Sequence, residues 1–368
     1  MKVIEYIKAN GLETLKANLG VEYRLYDDRV VLNYSQIESP KFDEVVRECR
    51  GLILSYPDLE VMSVTFNRFF NYGEDPNSDN FNVLDAIAFE KIDGSLMPVF
   101  FDGTKWQVAT RGTAFAEGET RLGEKTFREV FEMALGGKVE DVFKGMPENL
   151  VYVFEMTSQF TRVVKKYDTC IYPLMIKDKV NMVEYWEPHV VREMINGIFD
   201  SNTKMRFPNT YKFNSFDEVL RSMKDLDTFD EGYVCVKNNG NGIPWRLKVK
   251  SPSYLAIAHI RGNGELSTKR LISLVFMNEH EEYLATFEED RVIFQPYIDA
   301  YNRILEDVNA IWHNVKNISD QKEFAMQVKD RHCSGILFGL KKGKTLTQIL
   351  DGMTLSYKEG LIKKYILD

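Results

Sequence analysis

The segment Lys91-Ile92-Asp93-Gly94-Ser95 separates two apolar runs, Val83 to Phe89 and Ser95 to Phe101. Both runs are short, rich in β-branched and aromatic residues and bounded by turn formers, so each is expected as a strand. Asp102-Gly103 then signals a hairpin into Lys105 to Thr110. In strand geometry Lys91 and Asp93 project to one side, and Gly94 permits a tight turn and a close approach to the backbone. A lysine fixed beside a carboxylate at such a junction is either a structural ion pair or a reactive group. These five residues alone do not choose between the two.

Working outward, further strands are expected at Arg29 to Tyr34, Gly51 to Ser55, Val61 to Val64, Leu150 to Met156, Cys170 to Lys177, Gly232 to Lys237 and Trp245 to Val249. Helical spacing interrupts them at Thr126 to Leu135, His189 to Ile195 and Phe216 to Met223. Strands mixed with scattered helices indicate an α+β fold of antiparallel sheets flanked by helices. After Gly264 the period changes to helical. Helices are expected at Lys269 to Thr286, Arg291 to Val315 and Gln321 to Lys329, with shorter ones at Leu346 to Leu350 and Lys358 to Leu367. The stretch Arg261 to Glu265 reads as a linker. The expected organisation is therefore a mixed domain over 1–262 and an all-α domain over 263–368.

Composition narrows the function classes. With 44% apolar and 28% charged residues among 368, the chain is an ordinary globular protein, not a disordered one. The apolar runs fall far short of the ~20 residues a membrane span needs. The first twenty residues read as an amphipathic helix, not a secretion signal. Cys49, Cys170, Cys235 and Cys333 lie far apart, which indicates neither a zinc site nor a disulfide framework and suggests the cytoplasm. A net charge of −8 disfavours a protein that coats nucleic acid. Yet Gly232 to Gly264 contains no acidic residue and holds Lys237, Arg246, Lys248, Lys250 and Arg261. Such a strip is either a solvated face or a polyanion contact.

Three more features join the Lys91 segment. Glu155 ends the apolar run Val151 to Phe154. Glu231 opens the strand Gly232 to Lys237, in which Gly232, Val234 and Val236 are expected toward a core and Glu231, Tyr233, Cys235 and Lys237 away from it. Lys248 and Lys250 project from one strand face. They are either an edge strand's guard against aggregation or a phosphate site.

Taken in order, Arg50-Gly51, Lys91 to Gly94, Glu155, Glu231-Gly232-Tyr233-Val234 and Leu247-Lys248-Val249-Lys250-Ser251 resemble the covalent nucleotidyltransferases, which include polynucleotide ligases and mRNA capping enzymes. Glu48-Cys49-Arg50-Gly51, Arg68-Phe69-Phe70-Asn71 and Thr161-Arg162-Val163-Val164 narrow the resemblance to the bacteriophage ATP-dependent RNA ligase 1 family, of tRNA-repair type, over roughly residues 30–255. The resemblance implies a ligase adenylation domain followed by a helical module that selects RNA. It implies Lys91 as the nucleophile that takes AMP from ATP. Lys248, Lys250 and Glu231 are its catalytic partners. Tyr34, Arg50, Arg68, Arg111 and Glu155 join Lys91, Lys248 and Lys250 around the nucleotide. Asp93, Glu155 and Glu231 are the implied ligands for magnesium, for which manganese can substitute. The implied substrates are RNA 5′-phosphate and 3′-hydroxyl ends, such as those of a cleaved tRNA. They are joined by a monomer in the host cytoplasm of an infecting phage. A DNA ligase, a capping guanylyltransferase and an inactive RNA- or nucleotide-binding homologue are the alternatives. The resemblance implies the segment Cys170 to Ile176 as part of the adenine pocket without singling out its stacking residue, for which Tyr172 is the candidate.

Overall fold

The computed structural model describes residues 1–75, 77–120, 125–161, 165, 167–227, 230–240, 242–252, 268–284 and 291–367. The chain separates into two units, Met1–Ala258 and His259–Asp368. The linker-like stretch 261–265 lies outside the described residues.

Among its described residues the first unit contains strands β1 (Val21–Leu25), β2 (Arg29–Tyr34), β3 (Arg50–Ser55), β4 (Val61–Ser63), β5 (Phe70–Asn71), β6 (Ile87–Glu90), β7 (Ser95–Phe101), β8 (Trp106–Val108), β9 (Leu150–Thr157), β10 (Cys170–Asp178), β11 (Glu184–Tyr185), β12 (Thr210–Tyr211), β13 (Gly232–Lys237) and β14 (Trp245–Lys250). They form three sheets, ordered β1-β2-β3-β4, β11-β10-β9-β7-β8 and β12-β6-β13-β14-β5. Neighbours run antiparallel except β14 and β5, which pair in parallel with Leu247 opposite Phe70. The expected strand over 83–89 divides: Val83–Asp85 is a 3-10 turn capped by Asn82, and the strand begins at Ile87. Asp102 makes the β7–β8 hairpin, its Oδ1 accepting the Thr104 and Lys105 amides at 3.0 Å.

Helices cover the sheets where their apolar stripes demand it. The Phe127–Leu135 helix starts with a capping box: Thr126 accepts from the Glu129 amide, and the Glu129 carboxylate accepts from the Thr126 amide. Gly136, in the left-handed conformation, stops it. Its Val130, Phe131, Ala134 and Leu135 join Tyr152 and Phe154 of β9 in one core. The N-terminal segment is two helices, Lys2–Asn10 and Leu12–Leu19, not one, because Gly11 sits at φ +82° between them.

The second unit is helical throughout its described residues: Thr268–Phe276, His280–Leu284, Arg291–Val315, Gln321–Val328, Ser334–Lys341, Leu346–Gly352 and Leu355–Leu367. The long helix buries Phe294, Ile298, Tyr301, Ile304 and Val308, the stripe its period implies. A continuous helix over 269–286 does not form. Asn278 adopts φ +56° and breaks it. No helix among the described residues is long and apolar enough to cross a membrane.

Candidate active site

Lys91 and Asp93 lie in the connection between β6 and β7, outside both strands, so strand alternation does not set their directions. Backbone bonds anchor this connection instead. The Lys91 amide donates to the Gly232 carbonyl at 2.8 Å, and the Ser251 amide donates to the Glu231 carbonyl at 2.8 Å. Two glycines allow the chains to close. A Cβ on Gly94 would stand 2.5 Å from the Met156 carbonyl oxygen and 3.0 Å from Glu155 Cγ. A Cβ on Gly232, at φ +120°, would stand 2.2 Å from the Val249 carbonyl oxygen. These positions need glycine because backbone, not a movable side chain, fills the space.

Both faces of β13 pack against apolar residues: Val234 and Val236 join a core as the sequence implies, and Tyr233 and Cys235 are buried on the opposite face as well. Tyr233 and Cys235 pack with Leu247 and Val249, while Val234 and Val236 also line a pocket. Cross-strand register explains it: Gly232, Val234 and Val236 oppose Lys250, Lys248 and Arg246, and opposed residues share a face. Both faces are apolar on β13, so alternation within that strand carries no direction. Its charged partner strand does. The cations of β14 therefore line the pocket. Of the cationic strip read from sequence, Arg261 lies outside the described residues.

The pocket has a volume of about 270 Å³. Lys91, Arg50, Arg111, Arg246, Lys248 and Lys250 supply its cations, with Glu90 and Glu155 as carboxylates. Phe89, Leu174, Trp186 and Val234 supply an apolar wall. Lys91 Nζ stands 2.6 Å from Glu231 Oε2, and Lys250 Nζ 3.5 Å from Oε1. Glu231 is thus the counter-charge for both ammonium groups. Burial alone would raise its pKa, but Lys91 and Lys250 outweigh that and hold it below the usual carboxylate range. Glu155 behaves oppositely. Burial pushes its pKa up to about 7, against the pull of Lys91 and Arg50 and with a further push from Glu231 and Asp93.

Tyr34, Arg68, Asp93 and Glu231 are not among the lining residues, although Glu231 meets the lining Lys91 and Lys250 and Arg68 lines an adjoining cavity. Arg68 lies 4.3 Å and Arg111 5.1 Å over the Tyr34 ring. Burial would raise the Tyr34 pKa, yet Arg50, Arg111, Lys248 and Arg68 together lower it. Arg111 donates to Asn33 Oδ1 at 3.0 Å, and Arg68 to Gln36 Oε1 at 3.3 Å. Arg50 Nη1, Arg68 Nη1 and Arg111 Nε are buried without a hydrogen-bond partner among the described residues. Buried guanidinium N–H groups of this kind are costly unless an acceptor arrives, and phosphate oxygens are suitable acceptors.

The three carboxylates expected around a metal stand close enough that Glu231 and Asp93 both raise the Glu155 pKa. Among the described residues no group of three His, Cys, Asp or Glu side chains forms a cation site. Glu231 is engaged by two lysines, and Asp93 Oδ2 accepts the Lys165 amide at 3.3 Å. Nucleotide phosphates would have to complete the oxygen shell of a cation held by Asp93, Glu155 and Glu231.

Several lining residues escaped the sequence reading. Phe66 lies between two guanidiniums, Arg50 Cζ at 5.2 Å and Arg246 Cζ at 4.8 Å from its ring centre. Arg246 is held by Glu184 at 2.6 Å, and Lys177 meets the same carboxylate at 2.9 Å. Arg246 was legible as the third member of an alternating cationic face; Glu184, on the two-residue β11, was not. Trp186 is at the pocket wall. Tyr172 instead clusters with Ile92 and Cys170 and faces a different cleft. Of Thr161 to Val164, only Thr161 is among the described residues. A larger cleft, about 710 Å³, lies between Arg29, Asp102, Arg128 and Glu132, but its charges are spent on one another.

The sequence profile of a family described as RNA ligase matches residues 48–254, more than half of the chain and every site residue above except Tyr34. The chain belongs to the RNA ligase family. It is 30% identical to a candidate bifunctional polynucleotide kinase/RNA ligase of Autographa californica nuclear polyhedrosis virus, over 82% of this chain and 44% of that protein. This chain thus spans less than half the length of the viral relative. It is 24% identical to an RNA ligase of Rhodothermus phage RM378, over 82% of this chain and 83% of the phage protein. Among solved structures, an archaeal ATP-dependent RNA ligase matches with a TM-score of 0.47 at 14% identity, over 89% of this chain and 78% of that one.

Proposed function

We propose that this chain is an ATP-dependent RNA ligase that joins 5′-phosphate and 3′-hydroxyl RNA ends through a lysyl-AMP intermediate on Lys91. The observation that carries the reading is the Lys91–Glu231 pair at 2.6 Å in a pocket with a cationic row and an apolar wall, within a member of this family. The apolar wall suits a base, and the row suits phosphates. Lys91 must shed a proton before attack, since a free lysine is neutral in only about one molecule in 2,500 at pH 7. Glu231 fixes where Nζ sits. In the first step an N–P bond forms at the α-phosphorus of ATP and the bond to pyrophosphate breaks. In the second, an RNA 5′-phosphate oxygen attacks the same phosphorus and releases Lys91. In the third, an RNA 3′-hydroxyl attacks the 5′-phosphorus and AMP leaves. Each step is an in-line displacement, so positioning and charge neutralisation by Lys248, Lys250, Arg50 and Arg111 dominate.

Magnesium, or manganese in its place, enters with the nucleotide in this reading, because its phosphates add the oxygen ligands that the protein alone does not gather. The helical unit, His259–Asp368, selects RNA ends, with structured breaks such as those in tRNA as the favoured class. The test is labelling: α-labelled ATP should mark the denatured protein, γ-labelled ATP should not, and Lys91→Ala should abolish the mark. Preferential labelling by GTP would replace the ligase reading with a capping one.

A further inference from the structure

Glu74 stands three residues past the Arg68 to Asn71 motif and outside the pocket lining. We propose that Glu74 is a positioning residue: it fixes the end of β5 against β14 and thereby holds Lys248 in place at the pocket wall. The inference rests on the ligase reading above and adds to it a residue that acts on the site only through Lys248.

The local geometry starts from β5, which is only Phe70–Asn71 and pairs in parallel with β14, Asn71 opposite Lys248. A strand of two residues has too few ladder bonds to hold its own register. Glu74 supplies the anchor. Its amide donates to the Asn71 carbonyl at 3.0 Å, turning the chain back on itself. Its carboxylate then accepts twice from the same residue, Oε2 taking the Asn71 backbone amide at 3.1 Å and the Asn71 side-chain amide at 2.6 Å. Its Oε1 meets Lys41 Nζ at 2.9 Å. Next to Asn71, the Tyr72 amide donates to the Lys248 carbonyl at 2.8 Å. Two residues before Asn71, the Phe69 ring centre lies 4.8 Å from Lys248 Nζ. The segment from Phe69 to Glu74 therefore touches Lys248 at both its backbone and its ammonium, and one carboxylate ties that segment together.

The electrostatics point the same way. Only 12% of the Glu74 side chain is exposed. Burial alone would raise its pKa, but Lys41, the Asn71 amide and Lys248 outweigh that and hold it below the usual carboxylate range. Glu74 is thus a charged carboxylate at neutral pH, and its field reaches Lys248. A fixed anion there favours the ammonium form of Lys248, the form that neutralises charge developing on a phosphate. Glu231 plays the corresponding part for Lys91 and Lys250. The whole arrangement lies within the first unit.

The test is a double-mutant cycle in the full chain: wild type, Glu74→Ala, Lys248→Ala and the double variant, with Glu74→Gln as a second substitution that keeps the side-chain volume. Each protein is assayed for the rate of Lys91 labelling from α-labelled ATP, for the ATP concentration that gives half the maximal rate, and for thermal unfolding. Glu74→Ala should slow labelling about tenfold. The loss should fall on the maximal rate and not on the half-saturating concentration, because Lys248 acts on charge that develops during the reaction. Glu74→Gln, which removes the charge alone, should also slow it. In the Lys248→Ala background either Glu74 substitution should change the rate by less than about twofold, whereas a residue that merely supports the fold would add its full effect in both backgrounds. Equal slowing in the two backgrounds, or full rates in Glu74→Ala and Glu74→Gln, overturns the proposal. Should Glu74→Ala fail to fold, Glu74→Gln completes the cycle. An unlabelled wild type defeats the ligase reading and the assignment with it, while a labelled wild type with additive variants defeats the role of Glu74 alone.

Discussion

Replacing Glu155 by glutamine should make the protein more stable above neutral pH while removing its function. Glu155 lies within the buried strand β9 and lines the pocket, opposite Leu96 on one side and Tyr172 on the other. Burial, together with the nearby carboxylates Glu231 and Asp93, lifts its pKa to about 7. The folded protein therefore holds this proton more tightly than the unfolded chain does, whose carboxyl titrates near 4.5. The stability this proton contributes is complete below pH 4.5 and is lost as pH rises through about 7. The gap between those values, at about 1.36 kcal/mol per pH unit, sets a ceiling of about 3 kcal/mol. The pocket admits water to the carboxylate, which screens the effect to about 1–3 kcal/mol. At about 2–4 °C per kcal/mol, the wild type should fall behind the variant by roughly 2–12 °C in Tm between pH 5 and pH 8. The assay is thermal unfolding of both proteins across that range, read as the difference between them so that other titrating groups cancel. A difference that is flat, or that shrinks as pH rises, would refute the account of Glu155 as a desolvated acid. Loss of Lys91 labelling in the more stable variant would show a carboxylate kept at the expense of stability.

Lys248→Ala and Lys250→Ala should each slow Lys91 labelling by about 10²–10³, because each removes a cation aimed at developing phosphate charge. Unaltered labelling rates with unaltered melting would reduce them to surface charges on a strand. Gly94→Ala should cost about 1–3 kcal/mol, since its Cβ meets the Met156 carbonyl oxygen at 2.5 Å and backbone cannot step aside. Gly112→Ala, whose Cβ would meet nothing within 4 Å, is the matched control, and equal melting of the two variants would sink the steric argument.

Local signals made most of the first unit legible. Turn formers and β-rich runs located β2, β3, β7, β9, β10, β13 and β14, because each is a short apolar segment with its own punctuation. What local signals could not carry was pairing. Alternation within Gly232 to Lys237 pointed Val234 and Val236 into a core, but that strand is apolar on both faces. Only its register with Lys248 and Lys250 shows which face holds the pocket. The same limit explains the counter-charge of the lysine pair. No acid neighbours Lys248 or Lys250 in sequence, yet Glu231 reaches Lys250 across the ladder at 3.5 Å. Trp186 and Glu184 sit on or beside a strand of two residues, too short for any periodicity. The residues named from the motif set separate for a physical reason. Lys91, Arg50, Arg111, Glu155, Lys248 and Lys250 share the pocket wall, whereas Tyr34 and Arg68 are not among the lining residues, so the motifs specify a lining and the residues that pack on it. The lining can touch a ligand. The Tyr34 ring lies under the guanidiniums of both Arg68 and Arg111, so a Tyr34 substitution should act on the site through Arg111.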